Sequence, residues 1–221
     1  MIIYLASYPR SGNTLFRITM KQVYGIDSYS AYNDADITRM GAADIVGHKR
    51  LFTHPDALRK RHRQFFVKTH NMGHSSRDPA ICIVRDGRDA ILSHAHYRKD
   101  VEQCPKSLEE IMMDLIVSKP LFGGWSANIT SWLNRKHSTV LVRYEDMLLN
   151  PANSVFLALT ELQIPLSTAH GSMPSFEELH AEWPKFFRSG RAGGWMTEMS
   201  DKVHEAFLIN HGAMLRSLGY D

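Results

Sequence analysis

Residues Ser7 to Thr14 read Ser-Tyr-Pro-Arg-Ser-Gly-Asn-Thr and lie between an apolar run, Ile2-Ile3-Tyr4-Leu5, and a stretch in which Leu15, Ile18, Thr19 and Val23 recur at helical spacing. The order strand, tight loop, helix follows, with the helix over about 11–24 and Gly25 ending it. Such a loop turns successive backbone N–H groups toward one point at a helix N-terminus, where unpaired donors and the positive end of the helix dipole favour an anion. Pro9 and Gly12 shape the turn, Arg10 adds a fixed positive charge and a donor fork, and Ser11, Asn13 and Thr14 supply hydrogen-bonding side chains. A phosphate or sulfate group is the natural guest. An ordinary strand-to-helix turn has the same outline, so the decision falls to the rest of the chain.

That remainder repeats the pattern. Phe65-Phe66-Val67 is a short buried strand leading to Lys68-Thr69-His70, after which Asn71, Gly73 and Ser75 mark a loop. Ala80 to Val84 is a third strand, ending in Arg85-Asp86-Gly87-Arg88-Asp89 and a helix through Ile91, Leu92 and Ala95. Helical patterns follow at about 107–118 and 124–135, then a fourth strand, Thr139 to Val142, ends at Arg143-Tyr144-Glu145-Asp146. Residues 26–64 carry no clear period and read as a short helix or two with loops, including a basic tract from Arg59 to Arg63. Asn150-Pro151 is an N-cap and N1 pair for a helix to about Leu162, a shorter one covers about 175–183, and the last spans about Asp201 to Ser217.

Four short apolar strands separated by helices predict an α/β fold, a three-layer α/β/α arrangement with a central parallel sheet and P-loop-like nucleotide-binding architecture. Ligands then sit in the crevice at the strands' C-terminal ends. A length of 221 residues, 43% of them hydrophobic, suits one domain over 1–221. The chain opens almost at once into a strand and contains no apolar run of spanning length, so a soluble, intracellular, cytoplasmic protein with no membrane span is expected. Two cysteines, Cys82 and Cys104, argue against a disulfide framework, and none of the twelve histidines sits with them at zinc spacing. A net charge of +3 suits a small anionic ligand and falls short of a nucleic-acid stripe. Between Phe186 and Trp195, two arginines among three glycines suit a loop that closes over a phosphate.

Taken together, these segments resemble the cytosolic-type sulfotransferases, which use 3′-phosphoadenosine-5′-phosphosulfate (PAPS). Tyr8-Pro-Arg-Ser-Gly-Asn-Thr-Leu15 follows the family's Tyr-Pro-Lys-Ser-Gly-Thr-Thr-Trp with changes. Arg85 and Ser93 keep the spacing of its arginine and serine, eight residues apart, that bind the 3′-phosphate. Lys68-Thr69-His70 repeats the triplet that carries its catalytic histidine. Tyr144-Glu145-Asp146 is similar to the Tyr-Glu-Asp on the adenine side, Ser175-Phe176 to a Ser-Phe pair near the base, and Arg188-Ser189-Gly190 to an Arg-Lys-Gly. The six matches keep the family's order along nearly the whole chain.

The resemblance implies His70 as the base that accepts the acceptor hydroxyl's proton, with Lys68 and Arg10 stabilising charge on the bridging oxygen and the sulfuryl group. It implies Arg10, Ser11, Gly12, Asn13 and Thr14 around the 5′-phosphate, Arg85, Ser93 and Arg188 with Ser189 and Gly190 at the 3′-phosphate, and Tyr144, Ser175 and Phe176 near the base. PAPS is then the cosubstrate, no metal is required, and the partner is a small-molecule acceptor with a hydroxyl or an amine. Arg10 stands for the usual lysine, keeping the charge and adding a bidentate fork. Leu15 replaces an adenine-stacking tryptophan, and Arg191 is near enough to replace the cation lost at Ser189. The family's short C-terminal dimerisation motif has no recognisable form here, which leaves oligomeric state open.

Two rivals share this outline. A nucleoside-triphosphate phosphotransferase would use Asp86 or Asp146 on magnesium, but the loop lacks Gly-Lys-Ser/Thr. A non-catalytic binder of the desulfated nucleotide is motivated by Arg10 and Leu15, and opposed by the retention of Lys68 and His70. Tyr29, Tyr32 and Trp183 are candidate acceptor-pocket residues with core packing as the alternative, and His94 and His96 have no role assigned by the sequence.

Overall fold

The computed structural model describes residues 1–220 except 31, 33, 52–54, 74–76, 119–120, 167–168 and 185. Ser75 lies outside the described residues. The elements run β1 (Ile2–Ser7), α1 (Asn13–Tyr24), β2 (Ser28–Ser30), α2 (Ala35–Arg39), α3 (Ala43–Val46), β3 (His48–Arg50), α4 (Pro55–Arg59), β4 (Phe65–Thr69), β5 (Ala80–Val84) and α5 (Gly87–Asp100). Then come α6 (Leu108–Val117), a 3₁₀ turn (Leu121–Gly123), α7 (Trp125–Leu133), β6 (Thr139–Arg143), α8 (Tyr144–Leu149), α9 (Pro151–Glu161), α10 (Phe176–Glu182), α11 (Trp195–Glu198) and α12 (Asp201–Ser217).

The strands form one parallel sheet in the order β3-β2-β4-β1-β5-β6. β1 lies in the middle, in register with β4 from Ile2↔Phe65 to Ala6↔Thr69 and with β5 from Tyr4↔Ala80 to Ser7↔Ile83. The connections leave β1 toward one side and later return to its other side, so β1 is the topological switch where an open α/β sheet leaves a crevice beyond its C-terminal ends.

Alternation along β1 sends Ile2, Tyr4 and Ala6 to one face, against Leu92, Ile111, Trp125, Trp132 and Phe207 of the helices covering it. Ile3 and Leu5 point to the other, against Phe16 and Met20 of α1 and Val155 and Leu159 of α9. Both faces are covered, which is why all six residues of β1 are buried and the strand reads as a continuous apolar run. This is the expected three-layer α/β/α fold.

The sheet has two strands more than the apolar runs reveal. β2 and β3 are three residues each, Ser-Tyr-Ser and His-Lys-Arg, too short and too polar for an alternation signal, and they pair through backbone groups on the β4 side. Their insertion breaks the 26–64 segment into two strands and three helices of four or five residues. β6 ends at Arg143, and the Tyr144-Glu145-Asp146 run opens α8 directly. Helix starts fall where capping chemistry puts them: Ser107 and Ser175 each close a capping box, and the Asn150 side chain accepts from Asn153 N with Pro151 in the first turn. Among the described residues, no helix is long and apolar enough to cross a membrane.

Candidate active site

A cavity of about 1040 Å³ opens at the C-terminal ends of the strands and is lined by Arg10, Gly12, Asn13 and Thr14 after β1, Lys68 near the end of β4 and His70 just past it, and Arg85 and Ser93 around the β5–α5 turn. Tyr144, Phe176, Arg188, Ser189, Gly190 and Arg191 close its other walls. Two predicted residues stand apart. Ser11 is buried, its hydroxyl without a partner among the described residues, and the Ser175 hydroxyl accepts from Glu178 N at 3.1 Å as the cap of α10.

The loop after β1 is shaped by two residues in the left-handed region, Arg10 at φ 64° and Gly12 at φ 100°. A Cβ at Gly12 would lie 2.5 Å from Tyr144 Cδ2, so the ring of Tyr144 can pack on the loop only because that residue is glycine. The Asn13 side chain, expected at the ligand, instead staples the loop to its own strand, donating to the Leu5 carbonyl at 2.9 Å and to Ser7 Oγ at 3.2 Å. Its backbone N–H begins α1 and remains part of the helix-terminal cradle.

Arg10 reaches sideways. Its Nη2 donates to the Phe186 carbonyl at 2.8 Å, its Nε approaches Ser93 Oγ at 3.4 Å, and the guanidinium lies 4.7 Å from the Phe186 ring centroid. Burial, then the nearby Arg85 charge, bring Arg10 down to about 10, so it stays charged at neutral pH. Arg85 is buried; it donates to the carbonyls of Arg10 (3.4 Å) and Arg191 (3.0 Å) and pairs with Asp89 at 3.7 Å. Its guanidinium lies 4.4 Å from the Tyr144 ring centroid, and its buried Nε has no partner among the described residues. Asp86 is engaged by the Arg88 guanidinium at 2.7 Å and caps α5 through Arg88 N, which removes it from the role of a free magnesium ligand.

The Arg188–Arg191 loop is tied down from two sides. Asp89 accepts from Gly193 N at 2.6 Å and from Trp195 N at 3.0 Å, while Glu198 takes Arg188 Nη1 at 3.1 and 3.2 Å and His96 Nε2 at 2.8 Å. That gives His96 a place in the latch. Gly190, at φ 57°, lies under the Phe176 ring.

At the end of β4, His70 Nδ1 lies 2.8 Å from the Ser7 carbonyl oxygen. A carbonyl only accepts, so Nδ1 carries the hydrogen and Nε2 keeps its lone pair. Burial, reinforced by the Lys68 charge, lowers His70 to about 3 and keeps the ring neutral. Its backbone is clamped: the His70 and Asn71 N–H groups donate to the Tyr32 hydroxyl at 2.8 and 2.9 Å, and Asn128 Nδ2 donates to the His70 carbonyl at 2.8 Å. The rings of Tyr32 and Phe122 flank the imidazole at 5.9 and 5.6 Å between centroids. Lys68 Nζ is 2.8 Å from Asp34 Oδ1.

The family model for the sulfotransferase domain matches residues 2–209. The chain belongs to the sulfotransferase domain family. Sulfotransferase 1A1 of mouse is 21% identical over 96% of the chain and 84% of that protein, and WSCD family member GA21586 of Drosophila pseudoobscura pseudoobscura is 26% identical over 75% of the chain. The chain spans about half the length of that fly protein, 52% of it entering the match. Among solved structures, mouse sulfotransferase SULT7A1 complexed with PAP superposes with a TM-score of 0.66 at 16% identity over 97% of this chain and 84% of its own. Retinol dehydratase in complex with androsterone and inactive cofactor PAP gives 0.66 at 15% identity over 100% and 81%. These likenesses support the same three-layer fold.

The sequence motifs do not mark Asp34, Phe122 or Asn128, which line or brace the cavity, and the sequence offers Tyr32 only as one of three aromatic candidates. Tyr32 and Asp34 follow β2, the strand with no apolar signal, and Asn128 acts from the face of α7 that is otherwise core. Tyr29 packs on Phe65 and accepts from Arg63, and Trp183 donates to the Met40 carbonyl, so of the three aromatic candidates Tyr32 is the cavity residue. His94 lines the cavity, and its buried Nδ1 has no hydrogen-bond partner among the described residues.

Proposed function

We propose that this sulfotransferase moves a sulfuryl group from PAPS to a hydroxyl, or an amine, of a small-molecule acceptor, with His70 as the base. The observation that carries the reading is the neutral His70 held through Nδ1 in the same cavity as Lys68, the loop after β1 and Arg85. The residues present fit the nucleotide. The cavity holds Arg10, Arg85, Arg188 and Arg191, and among the described residues the buried Arg85 Nε has no hydrogen-bond partner, so it is available to an anion. Its volume of about 1040 Å³ exceeds the roughly 300–1,000 Å³ of a single-ligand pocket, leaving room for an acceptor beside a nucleotide.

PAPS supplies the sulfuryl group and departs as the 3′,5′-bisphosphate. The chain's own work is positioning and charge. The N-terminus of α1 and Thr14 serve the 5′-phosphate, and Arg85, Arg188 and Ser93 the 3′-phosphate, with Ser189 and Gly190 shaping that wall. Tyr144 and Phe176 offer ring faces to the base, while Ser175 acts at one remove by capping the helix that carries Phe176. His70 Nε2 takes the acceptor's proton. Lys68 and Arg10 hold positive charge beside it.

Calorimetric binding of 3′-phosphoadenosine-5′-phosphate (PAP), compared with adenosine 5′-phosphate and with ATP plus magnesium, tests the reading. Affinity that depends on the 3′-phosphate supports it. A magnesium-dependent preference for ATP would move the chain to phosphoryl transfer, and PAP binding with no transfer across a broad acceptor panel would make it a non-catalytic binder.

A further inference from the structure

Lys68, near the end of β4, has its side chain 13% exposed and lines the same cavity as His70, which follows the strand. One Asp34 oxygen holds its ammonium at 2.8 Å and the other faces Arg17 Nη1 at 3.3 Å. Arg17 is fully enclosed; its Nε donates to Ser28 Oγ at 2.8 Å and its Nη2 lies 3.0 Å from His48 Nδ1. His48 therefore presents a lone pair to Arg17, in keeping with a pKa lowered by burial and by that cation. Asp36, the next carboxylate along, is turned to the Tyr97 hydroxyl at 2.9 Å, and the Tyr32 ring centroid is 5.6 Å from Lys68 Nζ. Two buried cations thus share one carboxylate.

Such an arrangement is stable only while the carboxylate stays in place, because like charges out of water repel strongly and each has lost its hydration. We propose that Asp34 is a positioning residue for sulfuryl transfer: it fixes the Lys68 ammonium in the cavity wall beside His70 and supplies the counter-charge that lets Lys68 and Arg17 be buried together. The inference rests on the sulfotransferase reading of the cavity. One N–H of the ammonium goes to Asp34, leaving two for the reacting centre. Burial pulls Lys68 below its ordinary pKa, and the Asp34 charge opposes that pull. Burial by itself would raise Asp34; the Lys68 and Arg17 charges keep it below the usual carboxylate value. The groups facing Lys68 are thus Asp34 and Asp36, which favour its charged form, Arg17 and His70, and His48, which is neutral.

The test is Asp34→Asn, made alone and with Lys68→Met. The single variant should bind PAP within about threefold of the wild type, lose about tenfold or more in kcat, and lose activity on the alkaline side about a pH unit or more earlier, because an uncompensated Lys68 sheds its proton sooner. In the Lys68→Met background the same change should cost little more. Equal losses of kcat in both backgrounds, an unmoved alkaline limb, or loss of PAP binding in step with kcat would overturn the proposal. Should Asp34→Asn fail to fold, Arg17→Met with Asp34→Asn removes one charge of each sign, and its alkaline limb should move the same way. Titration of the Lys68 ammonium by NMR in wild type and variant needs no substrate. A lowered Lys68 pKa in the variant with no PAP binding by the wild type would overturn the PAP reading and leave the Asp34–Lys68 coupling standing; an unchanged Lys68 pKa would overturn the coupling whatever the wild type binds.

Discussion

His70 donates through Nδ1 to the carbonyl of Ser7, the last residue of β1, across 2.8 Å. The bond joins the two central strand ends and fixes the tautomer whose Nε2 can take a proton. General-base catalysis typically contributes about 10²–10⁴-fold, so His70→Ala should reduce kcat by that order while PAP binds within about twofold of the wild type. Transfer at the normal rate, with chemistry limiting, would remove His70 from the base role. Because His70 is lowered to about 3, first by burial and then by Lys68, kcat/KM should show no acid limb near pH 6.5 and should hold to well below it. A limb near 6.5 that vanishes in the His70 variant would show a solvated imidazole instead.

The same burial makes the protein acid-sensitive. His70 and His94 are lowered to about 3 and His211 to about 4, each mainly by desolvation. A folded pKa below the unfolded value of about 6.5 means the unfolded chain binds the proton first, so this contribution to stability is whole above pH 6.5 and lost as pH falls toward 3 to 4. Each histidine should cost up to about 1.4 kcal/mol per pH unit across that window. Urea midpoints between pH 7 and 4.5 measure it, and His94→Gln should flatten the slope by one proton's share. An unchanged slope would mean His94 is solvated in the native state.

Arg85→Ala should weaken PAP by about 10- to 100-fold, the range for a charge-assisted contact left unmade, and should weaken adenosine 5′-phosphate far less. Equal loss for both nucleotides would place Arg85 away from the 3′-phosphate, as a brace for the Arg10 and Arg191 carbonyls alone.

Gly190→Ala combines two faults. Its φ of 57° disfavours a side chain, and the Cβ would enter the Phe176 ring. Strain and overpacking together should cost about 1–3 kcal/mol of stability or displace Phe176, and with Phe176 displaced PAP affinity should fall about tenfold. Thermal melts and calorimetry separate the two. A variant identical to wild type in both would show that the ring is not held by this contact.

How much of this was legible in the sequence follows from signal length. β1, β4, β5 and β6 announce themselves because burial on both faces demands unbroken apolar runs, and their polar C-terminal ends carry Arg10, Lys68, His70 and Arg85 into one crevice. β2 and β3 are held by backbone bonds that carry no side-chain requirement, so Ser28–Ser30 and His48–Arg50 look like loop; Asp34, which depends on β2 for its position, was lost with them, and Tyr32 was legible only as one of three aromatic pocket candidates. Asn13 and Ser175 show a different ambiguity. Their residue types suit a ligand, but Asn13 is spent on the Leu5 carbonyl and Ser175 on capping α10, and residue type alone cannot tell a binding donor from a local staple.

Glu198 places both carboxylate oxygens on one nitrogen of Arg188, at 3.1 and 3.2 Å, and shares one of them with His96. The Nη2 and Nε of Arg188 are left for the cavity it lines. Both side chains are 34% exposed, so the pair itself adds only about 0–1 kcal/mol to stability and Glu198→Gln should barely move the melting temperature. Its effect belongs to binding. With Arg188 no longer aimed, the ratio of PAP to adenosine 5′-phosphate affinity should drop about three- to tenfold, while adenosine 5′-phosphate itself binds as before. A rise in that ratio would mean the opposite relationship: Glu198 competing with the 3′-phosphate for Arg188, and repelling it, rather than holding the arginine ready.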